Sequence, residues 1–119
     1  MTDNMIELAK RAVACKGWRW SSGMLWLVKR AAPLEDYAGR AVLGYTRPHE
    51  ALPVLTDPAT VGCLLALVRV AYADPYASVW YSDDHGHSGD RWSFYSKAFC
   101  FSGHLSEAEA LVAALEAAP

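Results

Sequence analysis

Apolar residues first recur at helical spacing over residues 3–15. Ile6, Ala9 and Val13, flanked by Met5 and Ala12, form one stripe. Asp3 stands where a cap belongs, and Glu7 lies near the positive end of the dipole. Lys10 and Arg11 come late, where cations suit it. Gly17 stops the helix. The period then shortens. Trp18-Arg19-Trp20 alternates, Ser21-Ser22-Gly23 has turn chemistry, and Met24–Val28 is a β-prone apolar run. Residues 31–39 hold Pro33, Glu35, Asp36 and Gly39 and read as a loop. Residues 40–46 read as a returning strand.

Residues 48–56 form a proline-containing connection. Thr56 or Asp57 as cap and Pro58 at the first helical position open a second helix, which runs to about Ala73. Arg69 is its only charge. Such a helix is either the central core helix or has a second face covered by another subunit. Asp74-Pro75 breaks it. Residues 77–82 read as a strand, 83–90 as a polar hairpin loop and 91–96 as a strand, with Trp92 and Phe94 on one face and Ser93 and Tyr95 on the other. Residues 97–101 continue it or form a short further strand. Ser106 and Glu109 make a capping box for a last helix over about 107–117. The expectation is a single α+β domain spanning 1–119. Its antiparallel sheet has about four to five strands packed with three helices, in the order α-β-β-α-β-β-α.

A chain of 119 residues with 53% apolar and 20% charged residues is globular in composition and long enough to fold without staples. No apolar run approaches the ~20 residues of a membrane span, and the first residues lack the pattern of a signal peptide. Cys15, Cys63 and Cys100 are odd in number and far apart, which suits reduced thiols in a cytoplasm. Charge is uneven. Residues 1–52 hold eight Lys/Arg against five acids, and residues 53–119 hold three against eight. A polarised surface is one outcome and mutual cancellation in space is the other.

Three stretches stand together: Leu8–Trp18, a helix ending in Gly17-Trp18; Leu55–Val68, with its Asp57-Pro58 start; and Ser106–Ala117, with its capping box. Together they resemble the small bacteriophage accessory proteins of the phage α/β/α-sandwich (ABA sandwich) domain type. The resemblance covers the frame of the chain, while residues 21–52 look idiosyncratic. It brings no catalytic residues. It implies a phage-encoded protein acting in the host cytoplasm, where small accessory proteins often antagonise host defence.

No nucleophile elbow, Cys/His arrangement, Walker loop or dinucleotide fingerprint is present, and an enzyme is not expected. His85 and His87, near Asp83, Asp84 and Asp90, could ligate a metal with help from His104 or Cys100. A solvated hairpin tip explains them better, so neither metal nor cofactor is expected. The N-terminal sheet interleaves cations with rings. Guanidinium groups fork onto phosphates and aromatic faces stack on bases. Arg19, Arg40 and Arg47 as phosphate holders, with Trp20, Trp26 and Tyr45 as stacking surfaces, would make a non-enzymatic trap for a nucleotide-type signal. The alternative is docking onto a host defence protein through an aromatic or acidic surface, with Trp80, Tyr81 and Tyr95 at the interface. A homo-oligomer is expected in either case. Nucleic acid is an unfavoured partner, because net charge is −2 and no recognition motif occurs.

Overall fold

A computed structural model describes residues 2–42, 46–81, 92–97 and 99–119. Helix α1 is Asp3–Ala14, and Thr2 rather than Asp3 is its cap, its hydroxyl accepting from the Met5 N–H. Strands β1 (Leu25–Val28), β2 (Tyr37–Arg40) and β3 (Leu52–Pro53) follow. Helix α2 (Pro58–Ala71) starts at the Asp57 cap with proline in its first turn. Strands β4 (Ser78–Tyr81), β5 (Trp92–Tyr95) and β6 (Cys100–His104) precede helix α3 (Glu107–Ala117), which Ser106 caps onto the Glu109 N–H.

The class is α+β, with three helices and antiparallel strands. The strands number six among the described residues. They form two sheets, β2-β1-β3 and β4-β5-β6, rather than one. The returning partner of β1 lies at Tyr37–Arg40, earlier than the expected 40–46. The reason sits across the sheet: Gly39 opposes Trp26, whose ring fills the space that a side chain on Gly39 would need. Residues 43–45 and the expected 83–90 hairpin tip lie outside the described residues.

Helix α3 is the centre of the molecule. Helices α1 and α2 and all three strands of the second sheet pack on it. Its alanines at 108, 110 and 114 are buried beside Leu111, Val112 and Leu115, and small side chains allow neighbours to approach from several directions. Helix α2, the most apolar, buries only Thr60, Leu64 and Val68 fully and leaves Val70 80% exposed. Tyr72, its C-cap, donates its hydroxyl to the Ala114 carbonyl at 2.7 Å, and Arg11 of α1 forks onto Glu116 of α3. Trp18, Met24, Leu64 and Phe94 complete a core shared by all three helices and the second sheet.

Candidate functional site

The N-terminal cations and rings fall into separate places. Arg19 turns back on its own backbone, donating from Nη1 to the carbonyls of Lys16 and Trp18. It also lines a cleft of about 690 Å³ at the ends of α1 and α3, with Arg11, Lys16, Leu115 and Glu116. Trp20 packs edge-on with Trp18, ring centroids 5.4 Å apart, and the Arg47 guanidinium lies 4.3 Å from the Trp20 centroid. Burial pulls the Arg47 pKa below its ordinary value. The Trp18 indole nitrogen is buried with no hydrogen-bond partner among the described residues.

Trp26 is elsewhere, on a face of β1–β2 with Tyr37 and Arg30. Trp26 and Tyr37 meet edge-on at 5.6 Å, and the Arg30 guanidinium lies 4.9 Å over the Tyr37 ring. Arg40 is committed to Asp57. Its Nη1 and Nη2 reach the two carboxylate oxygens at 2.6 and 2.9 Å, and Nη1 also donates to the Gly23 carbonyl. The guanidinium, with help from Thr60, holds the Asp57 carboxyl far below the usual carboxylate range. Tyr45 lies outside the described residues. The structure therefore joins Trp20 to Arg47, while Trp26 contacts Tyr37, Arg40 pairs with Asp57 and the Arg19 guanidinium turns onto nearby backbone carbonyls. None of Trp20, Trp26, Arg40 and Arg47 lines the cleft that holds Arg19. The basic and acidic halves of the chain also partly neutralise each other, because Arg11–Glu116 and Arg40–Asp57 both join one half to the other.

The second sheet is two-sided in a simpler way. Register pairs Val79 with Phe94 and Phe94 with Phe101, and these three face α3 and the core. Alternation sends Ser78, Trp80, Ser93 and Tyr95 to the outer face. Trp80 is 62% exposed and Tyr95 is 44% exposed, while Ser93, opposite Trp80, is itself buried. The indole nitrogen of Trp80 donates to the Ser78 hydroxyl at 3.0 Å, which holds the ring along its strand. Tyr81 belongs to the other face: it pairs with Trp92, ring centroids 5.4 Å apart, at the end of the sheet, and is 55% exposed there. The three aromatic interface candidates thus divide, with Trp80 and Tyr95 together and Tyr81 apart.

Asp74 braces this sheet. Its carboxylate accepts from the Tyr76 and Lys97 N–H groups, both at 2.9 Å, tying the turn before β4 to the turn after β5. These bonds lower its pKa. In the sequence Asp74-Pro75 signals only the end of a helix, and nothing local announces the bonds to the Tyr76 and Lys97 N–H groups.

Among the described residues no cluster of three His, Cys, Asp or Glu could hold a metal ion. His85, His87 and their neighbouring acids lie outside them. No helix among the described residues is long and apolar enough to cross a membrane. No protein family, curated protein or solved structure matches the chain.

Proposed function

We propose that this protein acts by non-covalent binding and that its working surface is the outer face of the β4–β5 sheet, presented to a protein partner. The carrying observation is the exposure of Trp80 and Tyr95, diagonal to each other across β4 and β5 on a face whose described residues Ser78, Trp80, Ser93 and Tyr95 are uncharged, while Val79 and Phe94 of the other face pack into the core. Rigid aromatics give much contact area for little lost side-chain entropy, and they anchor protein interfaces. The Trp80–Ser78 hydrogen bond pre-orders one anchor before a partner arrives. In the phage setting that the resemblance implies, the partner would be a host defence protein in the host cytoplasm.

The nucleotide-trap reading has less behind it. A trap needs rings and free guanidinium groups around one hollow, whereas Arg40 is engaged by Asp57, and Arg47 lies over the face of Trp20 that a base would stack on. The deciding experiment is capture from host lysate on immobilised protein. One stoichiometric partner should be retained by the wild type and by Arg19→Ser, and lost with Trp80→Ser. Equal retention by Trp80→Ser would reject the outer face as the site.

A further inference from the structure

Two antiparallel strands can slide past each other by two residues without turning any side chain to the other face. Alternation therefore sends Trp80 and Tyr95 to one face of the β4–β5 pair and does not decide how they stand to each other. The observed register sets Ser78 against Tyr95 and Trp80 against Ser93, which makes the two rings diagonal neighbours. A slide of two residues would set Trp80 directly against Tyr95 and bring Lys97 opposite Ser78 on the same face.

Asp74 lies just beyond the Ser78–Tyr95 end of the pair and is buried. Its Oδ1 accepts the Tyr76 N–H, on the chain entering β4, and its Oδ2 accepts the Lys97 N–H, on the chain leaving β5, each at 2.9 Å. Asp74 is itself fixed to the end of α2. Its own N–H donates to the Arg69 carbonyl at 3.0 Å, and Arg69 Nε donates to the Ala77 carbonyl at 2.8 Å. A slide of two residues moves one backbone past the other by about 7 Å. That would carry the Lys97 N–H out of reach of a carboxylate held in this way.

We propose that Asp74 is a positioning residue for the docking face: it pins the register of β4 against β5 and so sets the arrangement of Trp80 and Tyr95. The inference deepens the docking reading and takes its functional meaning from it, while the pin itself is a property of the fold. The role requires a carboxylate. Each oxygen takes a different N–H, so both must accept. Asparagine has nearly the same shape and one accepting oxygen, its nitrogen being a donor. Asp74→Asn therefore keeps the packing and turns one of the two bonds into a meeting of two donors.

Nuclear magnetic resonance of the full chain tests this. In the wild type the Lys97 amide, past the end of β5, should exchange with solvent at least about tenfold more slowly than an open turn amide. In Asp74→Asn either the Tyr76 or the Lys97 amide should exchange at least about tenfold faster than in the wild type. Backbone proton contacts across the Ser78–Tyr95 pair should weaken, and contacts between Trp80 and Tyr95 should appear. A role in stability alone would lower the unfolding midpoint and leave the pairings of the folded chain as they are, so a folded Asp74→Asn chain with wild-type pairings would overturn the pin. An unprotected Lys97 amide in the wild type would do the same, whether or not the variant folds. Capture from lysate separates the two readings. A shifted register in Asp74→Asn, with no partner retained by the wild type, would leave the pin and remove the docking reading. A partner retained by the wild type, with the register of Asp74→Asn unchanged, would leave the docking reading and remove the pin. Equal retention by a chain of shifted register would overturn the positioning role.

Discussion

Arg40 of β2 and Asp57, the N-cap of α2, form a forked ion pair that fastens the first sheet to the start of a helix. The tie continues through a buried hydroxyl. Thr60 donates from Oγ1 to Asp57 Oδ2 at 2.8 Å and accepts the Leu25 N–H of β1 at 2.8 Å. Thr60→Val keeps the shape and removes the hydroxyl, leaving the Leu25 amide without its acceptor. The expected cost is about 1–3 kcal/mol, read from urea unfolding, with capture of a partner through Trp80 unchanged.

Gly39 is required by its neighbour across the strand. A β-carbon there would lie 2.6 Å from Cζ2 and 3.0 Å from Cε2 of Trp26. Gly39→Ala must push the indole away and disturb its edge contact with Tyr37. Overpacking of this kind costs about 1–3 kcal/mol. It outweighs the roughly 0.4–1 kcal/mol that alanine gains by restricting the unfolded chain. The variant should be less stable in urea, with its tryptophan emission shifted to the red. Stability equal to or above the wild type would show that the ring moves aside without cost.

Helix starts were legible in the sequence because their signals are local. Asp57-Pro58 and Ser106 with Glu109 act within one turn, and both helices begin where those residues place them. Strands β4 and β5 were legible from alternation. Strand β2 was not, because Gly39 and Pro33 look like loop chemistry until Trp26 is seen across the sheet. Strand β3 is too short to have a period. The choice of central helix turned on bulk: α2 carries more Leu and Val, yet the alanines of α3 let three sets of neighbours close on it. The engagement of Arg40 was hidden because Asp57 already had a complete local role as a cap. Outer-face exposure of Trp80 and Tyr95 could be anticipated only as one branch of a choice, since alternation gives the faces and not which one the helix covers.

Asp74 makes the second sheet sensitive to acid. Its pKa is lowered in the folded chain, chiefly by the N–H donors of Lys97 and Tyr76. A carboxyl held below its unfolded value adds stability above the unfolded pKa of about 4, and that stability is lost as pH falls through the lower folded value. Asp74→Ala should therefore be less stable than the wild type at pH 7. The gap should narrow steadily below about pH 4, as the wild type takes up the proton. Thermal unfolding at a series of pH values checks this, and a gap independent of pH would assign the effect to lost packing alone.

The Arg47–Trp20 contact bears on ligand binding. With the guanidinium carbon 4.3 Å from the ring centroid, one face of Trp20 is occupied. A contact of this type at an exposed site contributes about 0.5–1 kcal/mol, so Arg47→Met should lose about that much in urea unfolding and change the emission of Trp20. A base stacking on the same face would have to displace the cation that a trap needs for its phosphate, so one residue pair cannot perform both tasks in this geometry. Calorimetry of the wild type against linear and cyclic nucleotides at millimolar concentration should give no saturable heat. Saturable binding that disappears in Arg47→Met would return the nucleotide trap to first place and require the loop carrying Arg47 to rearrange around its ligand.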